Sequence, residues 1–304
     1  METLGETMQV TISSGNNING TLVLPLFEGG EALPEIVEGI PTALKSQINR
    51  VLADGDFKAK ANATMTLAGT EGGKAMLVGL GKAEKADTHA YREAGATVVA
   101  SCKKVHGNEL TVVFHNTDVP CMTSFAEGMM LRDYSYDLYK KKDEEETNLA
   151  ARINCSEGDA TALSAAIDRA ASITSGVHLS RDLGNCPPND LYPMAFAEKA
   201  EQWAKQYDNA KVEVIDYEAA KRHGMGGLVA VGMGSSRKPC MVIFTLNGDQ
   251  KGQHPMLVGK GITFDTGGIS LKPGAGMDEM KYDMGGSATV FGTMEALASS
   301  GYAG

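Results

Sequence analysis

This sequence of 304 residues has no CxxC pair of cysteines, no long apolar run and few aromatic residues. The five cysteines are widely spaced and odd in number, which disfavours a disulfide framework. No apolar run reaches the length of a membrane span, and the N-terminus shows no secretory signal. We therefore expect a globular protein of the reducing cytoplasm that does not bind a membrane.

Positive charge is also in short supply. The chain has 28 Lys and Arg residues against 38 Asp and Glu residues, which gives a formal net charge of -10. This balance argues against an electrostatic grip on nucleic acid or anionic lipid across most of the surface, so a nucleic-acid partner is not expected. The six histidines show no HExxH pattern, so a zinc site of that type is not predicted either.

The apolar patterns predict an α/β fold in two domains. Residues 74–114 follow a strand, helix, strand pattern, which is typical of a βαβ unit with parallel strand pairs. The length also suits two domains. We predict a smaller N-terminal α/β domain over residues 1–148, a connecting helix over 149–180, and a second domain over 181–304 with a partial, mostly parallel twisted sheet. The charged run Lys140–Glu146 marks the predicted boundary.

Short apolar runs predict the elements of the second domain. Strands are expected at 212–215, 240–244 and 256–258, and a helix is expected at 288–300. Lys260 follows the last of these strands directly. Functional groups of open α/β sheets collect at the carboxyl ends of strands, so this is where we look for a site.

Four ionisable side chains stand among glycines near the end of the sequence: Lys260, Asp265, Lys272 and Asp283. Paired glycines allow a positive φ or a close approach of the backbone to a ligand. Carboxylates bind divalent ions such as Mn²⁺, Mg²⁺ or Zn²⁺, and a lysine can be a ligand only as the neutral amine. Taken one at a time, each of these residues is better explained as a turn residue, a helix cap or a surface charge.

Three segments of the chain resemble one family. The segment Lys260–Pro273, together with Met277–Gly286, is similar to the metal-binding signature of the leucyl (cytosol) aminopeptidases. Arg181–Pro193 and Leu131–Lys140 resemble two other segments of that family. The resemblance is strong from about Arg181 onwards and weak before Gly128, and its length and spacing make it far more specific than a lone glycine motif.

The resemblance implies a function for each of the four side chains. Lys260, Asp265 and Asp283 would be metal ligands, and Asp265 would bridge two divalent ions, Zn²⁺ or Mn²⁺. Lys272 would bind the carbonyl oxygen of the substrate and stabilise the tetrahedral intermediate. Members of the family remove N-terminal residues, often Leu, from peptides with a free N-terminus by means of a metal-bound water, and they assemble as homohexamers.

The sequence departs from the family in one respect. The family has a further Asn-Thr-Asp-Ala-Glu-Gly-Arg motif, which completes the two-metal site and holds a bicarbonate, and this sequence has no such motif. We therefore expect the catalytic domain to be incomplete at its C-terminus, and the chain alone to be inactive or nearly so and poorly soluble. Two alternatives stay open: a non-catalytic assembly or binding module that keeps the fold, and a metal-dependent hydrolase of another amide.

Overall fold

The computed structural model describes residues 8–13, 18–29, 40–70, 72–102, 109–115, 118–141, 149–252 and 254–303. The chain divides into two compact units, Met1–Thr174 and Ser175–Gly304. The two-domain α/β class predicted from the sequence is confirmed.

The first unit is built on a six-stranded sheet. Its elements are β1 (Gln9–Ser13), β2 (Thr21–Phe27), α1 (Thr42–Ala53), β3 (Thr64–Ala68), β4 (Lys74–Gly81), a short 3-10 helix (Ala83–Lys85), α2 (Thr88–Cys102), β5 (Glu109–Val113), α3 (Val119–Arg132), β6 (Ala150–Asn154) and the first part of α4 (Ala160–Asn185). The strand order is β1-β6-β5-β2-β4-β3, and only β3 and β4 pair antiparallel in this described sheet. The predicted βαβ unit is confirmed as β4, α2 and β5, although β2 lies between its two strands.

Apolar side chains cover both faces of this sheet. Along β2, Val23 packs in the cluster that contains residues of α2 and α3, whereas Leu22 and Leu24 pack with residues of α1. Successive side chains of a strand point to opposite faces, so one short strand contributes to both layers. Helices α2 and α3 approach closely because Gly95 has no side chain, and a Cβ there would lie 2.1 Å from the carbonyl oxygen of Phe125.

The region between the predicted domains differs from the expected connecting helix. Residues Ala150–Asn154 form β6, which pairs with β1 and β5, and the helix α4 begins only at Ala160. Ala151 and Ile153 are buried in the core of the first unit, so this stretch belongs to the sheet. Residues 142–148, which include most of the charged run at the predicted boundary, lie outside the described residues. Of the helices that the structure describes, α4 included, none has both the length and the apolar character of a bilayer span.

The second unit contains a smaller sheet. Its elements are the remainder of α4, α5 (Pro193–Ala204), β7 (Ala210–Ile215), α6 (Tyr217–Arg222), α7 (Gly226–Gly232), β8 (Met241–Leu246), a 3-10 helix (Met277–Met284) and α8 (Gly285–Ser299). The strands predicted at 212–215 and 240–244 and the helix predicted at 288–300 are confirmed. Strands β7 and β8 pair antiparallel, so the parallel pairs of the described residues lie in the first unit.

The strand predicted at 256–258 is wrong. These residues are not a strand, and Met256 and Val258 are 86% and 89% exposed. A strand needs a neighbour for its backbone hydrogen bonds, and no strand among the described residues pairs with this segment. Its side chains instead border a shallow groove along α8, lined by Leu257, Val258, Gly286, Thr289, Val290 and Thr293.

Candidate metal centre

Lys260 lies beside the beginning of α8. Two glycines allow this contact, because a Cβ on Gly259 would meet the carbonyl oxygen of Gly286 at 2.5 Å. The backbone N–H of Ser287 donates to the carbonyl oxygen of Lys260 at 2.8 Å. This close approach joins two segments of the chain, and it places the Lys260 side chain next to the residue that precedes Met284.

That residue is Asp283, near the end of the 3-10 helix that leads into α8. The Lys260 ammonium forms an ion pair with Oδ2 of Asp283 and lies 3.4 Å from the Asp283 carbonyl oxygen. Oδ2 is buried and accepts no hydrogen bond, so only the nearby charge compensates it. A buried carboxylate oxygen in this state is available as a ligand for a cation.

Asp265 and Lys272 form a second ion pair on the loop that follows Lys260. Gly267 and Gly268 have φ values of 93° and 84°, a left-handed conformation that glycine adopts without strain. The loop closes through a hydrogen bond of 2.9 Å from the Lys272 backbone N–H to the Thr266 carbonyl oxygen. As a result, the Lys272 ammonium lies 2.8 Å from Oδ2 of Asp265.

Electrostatics link the two ion pairs. The hydrogen bond from Lys272, and then that from the Gly267 backbone N–H, hold the pKa of the Asp265 carboxyl below its usual value. The positive charges of Lys272 and Lys260 act in the same direction. Asp265 is therefore a carboxylate at neutral pH, and Lys260 contributes to its charge state as well as pairing with Asp283.

The 3-10 helix also reaches the second pair. The sulfur of Met280 lies 3.1 Å from the Lys272 ammonium. One short helix thus carries both Asp283, which pairs with Lys260, and Met280, which contacts Lys272. The structure brings all four predicted site residues into two ion pairs within the second unit.

The donor set fits a divalent ion, though sparsely. In the part of the chain that the structure describes, no three His, Cys, Asp or Glu side chains group together to hold a metal. The candidate ligands are therefore the carboxylates of Asp265 and Asp283 and the amine of Lys260. Carboxylate oxygens suit Mn²⁺ and Zn²⁺, and an ion bound to Oδ2 of Asp283 would replace the Lys260 ammonium as its positive partner. Lys260 is a ligand only after it loses its proton, and the Lys272 ammonium competes for Asp265, so with few ligands we expect weak binding.

Sequence reasoning missed a buried acid on α8. Glu295 is 6% exposed, and it accepts hydrogen bonds from Ser175 Oγ at 2.8 Å, Trp203 Nε1 at 2.7 Å and Tyr207 Oη at 3.0 Å. Burial and the negative charge of Glu295 raise the pKa of the Tyr207 hydroxyl. The available signal was a carboxylate four residues after Phe291, on the apolar face of a helix.

The fold and the site together define an α/β protein with a candidate divalent-metal centre. Comparison with known families identifies the class of protein more narrowly. The catalytic-domain model of the cytosol aminopeptidase family matches residues 178–303, and the model of that family's N-terminal domain matches residues 23–143. The chain belongs to the cytosol aminopeptidase family.

Two bacterial relatives illustrate this membership. The chain is 38% identical over 288 residues to a probable cytosol aminopeptidase of Stutzerimonas stutzeri and 37% identical over 288 residues to a cytosol aminopeptidase of Pseudomonas aeruginosa. Each alignment covers 91% of this chain and 58% of the relative. The chain therefore spans 58% of the length of these relatives.

Solved structures show the same fold. The bottromycin maturation enzyme BotP in complex with Mn is 27% identical, with a TM-score of 0.72 over 92% of this chain and 56% of that one. A tomato leucine aminopeptidase mutant has a TM-score of 0.78 over 98% of this chain and 61% of that one. At 23% identity, the second likeness concerns the fold alone.

Proposed function

We propose that this chain carries part of the active site of a metal-dependent aminopeptidase, which releases N-terminal residues such as Leu from peptides. The observation that carries the proposal is the pair of adjacent Lys–Asp contacts, Lys260 with Asp283 and Lys272 with Asp265, on glycine-rich segments of the second unit. Membership of the cytosol aminopeptidase family supports it. The complex of BotP with Mn supports the choice of ion.

Each of the four residues has a proposed role. Asp265, Asp283 and Lys260 would hold Mn²⁺ or Zn²⁺. A bound ion of this kind supplies a Lewis acid and lowers the pKa of water toward neutrality. Lys272, as an ammonium group, donates a hydrogen bond to the carbonyl oxygen of the substrate and stabilises the charge that develops there. The free α-amine of the peptide is the feature that selects an N-terminal residue.

The proposal extends to the longer protein that the relatives represent. Two ions, a bicarbonate, a homohexamer and a cytoplasmic location are predictions that rest on family membership. Light scattering after gel filtration tests the hexamer directly. A particle with the mass of one chain would contradict assembly for the chain as it stands.

The first experiment measures Mn²⁺ binding to the 304-residue chain. Free Mn²⁺ has a six-line electron paramagnetic resonance signal, and we expect this signal to fall as the chain is added. Asp265→Ala and Asp283→Ala should each remove most of the binding, because each takes away one of two carboxylates. Asp249→Ala is the matched control, since Asp249 is an exposed acid of the same unit that pairs with Lys211 at 3.7 Å.

The second experiment measures catalysis by the same preparation. We expect hydrolysis of a leucine chromogenic amide at or near background, because the described ligands are too few for a two-ion site. Strong metal-dependent hydrolysis would show that the chain is sufficient, and an N-blocked substrate would then test the need for a free amine. Absence of Mn²⁺ and Zn²⁺ binding by the folded chain would overturn the proposed metal centre.

A second candidate function is a non-catalytic assembly or binding module that keeps the aminopeptidase fold. The sparse ligand set of the described residues favours it. The two functions make different predictions for the same titration. A folded chain that assembles normally and binds no divalent ion would support the module.

A further inference from the structure

Small residues hold α4 and α8 in close contact along the second unit. A Cβ on Gly176 would lie 2.2 Å from the carbonyl oxygen of Gly292, so the two backbones touch at this level. The hydroxyl of Ser180 donates to the carbonyl oxygen of Ala288 at 2.8 Å. Residues nearer the end of α4 contact residues nearer the beginning of α8. A shift of either helix along its axis would therefore move the other.

Asn185, the last residue of α4, continues this contact into the 3-10 helix. The Tyr282 hydroxyl donates to Oδ1 of Asn185 at 2.8 Å, and the Lys281 ammonium lies 3.4 Å from the Asn185 carbonyl oxygen. A cation is favourable at the C-terminus of a helix, where carbonyl groups lack helical partners. The Tyr282 ring packs over Gly184, where a Cβ would lie 3.3 Å from Cδ1 of the ring.

Both groups that contact Asn185 immediately precede Asp283 in the chain. We propose that Asn185 is a positioning residue for the candidate metal centre: by holding Tyr282 and Lys281, it orients the carboxylate of Asp283 toward Lys260. The inference rests on the proposed function, since it concerns the same site. A residue that acts through another in this way affects metal affinity, because partners behind the ligands determine ligand orientation.

The geometry supports positioning over a role in stability. The Tyr282 side chain is half exposed, so its hydroxyl has little to contribute to folding. Its neighbour Asp283 has a buried Oδ2 that is contacted by the Lys260 ammonium, so the orientation of the carboxylate depends on that ion pair and on the backbone next to Tyr282. The Tyr282–Asn185 hydrogen bond anchors the residue next to Asp283, so its loss should loosen the orientation of the carboxylate.

The test is Mn²⁺ titration of the 304-residue chain, followed by electron paramagnetic resonance, in Tyr282→Phe, Asn185→Ala and the double variant. Tyr282→Phe removes one hydroxyl and keeps the ring on Gly184, so the variant should fold. We expect each single variant to raise the dissociation constant about tenfold. The double variant should bind Mn²⁺ no more weakly than the weaker-binding single variant, because both changes break the same hydrogen bond.

Two controls separate positioning from folding. Asn209→Ala removes an exposed asparagine whose amide donates to Asn247 Oδ1 at 2.9 Å in the same unit, and it should leave the dissociation constant unchanged. Fluorescence of Trp203, the single tryptophan, reports the denaturation midpoint of the second unit for every variant. A purely structural role would lower the midpoint and leave Mn²⁺ affinity of the folded protein unchanged, and that result would overturn the inference.

Asp283→Ala distinguishes failure of this inference from failure of the proposed function. If Asp283→Ala abolishes binding while Tyr282→Phe and Asn185→Ala bind as the parent does, the ligand set stands and positioning by Asn185 is overturned. If Asp283→Ala binds as tightly as the parent, the proposed ligand set is wrong and the inference is wrong with it.

Discussion

The six-stranded sheet of the first unit and the two-stranded sheet of the second use their residues in different ways. Strands β2 and β4 of the first unit are buried along most of their length, and helices cover the sheet with apolar side chains. Strands β7 and β8 of the second unit are half exposed throughout, and the candidate site lies on segments with little buried surface. The comparison indicates that the buried apolar sheet and the candidate site lie in different parts of the chain.

The difference extends to the buried polar groups. Among the described residues, the buried polar side chains of the first unit, such as Thr111 and Asn154, are neutral, whereas the second unit buries the carboxylate of Glu295 among three hydrogen-bond donors. Burial of a carboxylate is costly unless its oxygens are satisfied, and here each oxygen accepts at least one hydrogen bond. Four measurements test whether the first unit depends on apolar packing and the second on polar contacts.

The largest effect is expected for Phe125→Ala in α3. Phe125 is fully buried and packs edge-to-face against Phe114 at 5.2 Å between centroids, so its removal leaves a cavity. We expect a loss of about 4 kcal/mol from the free energy of unfolding of the first unit. Urea denaturation followed by far-UV circular dichroism measures it, with Ile269→Ala as an exposed control. An unchanged midpoint would contradict the reliance of the first unit on apolar packing.

A slightly smaller effect is expected for Glu295→Ala in the second unit. The change leaves the donors of Trp203, Tyr207 and Ser175 without their acceptor, and we expect a loss of about 3 kcal/mol. Fluorescence of Trp203 during urea denaturation is the measurement. Glu295→Gln keeps the volume and one acceptor oxygen, so it should cost less; equal losses would point to packing and not to hydrogen bonds.

Alkaline pH should destabilise the first unit through its buried groups. Burial raises the pKa of the Cys102 thiol from 9.0 to about 11 and is the main cause that raises the pKa of Tyr91 from 10.0 to about 12. Above pH 9 both groups stay protonated in the folded chain but begin to ionise in the unfolded chain. The stability that they provide is therefore complete below pH 9 and declines as the pH rises toward their folded-state pKa values. We expect a loss of about 2 kcal/mol between pH 8 and 10.5. Cys102→Ser should flatten part of this dependence, because burial is also the main cause that raises the pKa of the Cys121 thiol to about 12. An unchanged slope would contradict the prediction.

The smallest effect on stability is expected for Lys272→Met at the candidate site. The Lys272–Asp265 pair is more than one-third exposed on both sides, and exposed ion pairs contribute little to folding. We expect no shift in the Trp203 denaturation midpoint. Mn²⁺ affinity should rise a few-fold, roughly, because an ammonium that competes for Asp265 is gone. A large loss of stability would mean that the site also supports the fold.

Local patterns were enough to predict several of the helices and strands. The βαβ pattern of residues 74–114 and the helix at 288–300 depend on side-chain periodicity within one segment, and both are present in the structure. The order of the sheet was not predictable in this way, since β2 is inserted between β4 and β5 by pairing over a long distance in sequence. Residues 256–258 have a strand-like composition, but a strand also requires a partner, which no single segment reveals.

The candidate site was predictable in part. The residue types and glycine spacing indicated Lys260, Asp265, Lys272 and Asp283, and the structure adds which of them pair with each other. Their roles as ligands and as a catalytic residue stay predictions. The contacts of Asn185 with Tyr282 and Lys281 could not be inferred, because they join residues almost a hundred positions apart through the packing of α4 on α8.

The parallel pairing of β1 with β6 has a consequence for synthesis on the ribosome. Gln9 pairs with Ala150, and among the described strands β1 has no other partner. At about 5–20 residues per second, the interval between translation of these two residues is roughly 7–28 s. During that time the nascent strand carries unsatisfied backbone groups and is open to mispairing. Strand β1 presents little apolar surface before β6 is synthesised, because polar Gln9, Thr11 and Ser13 alternate with Val10 and Ile12.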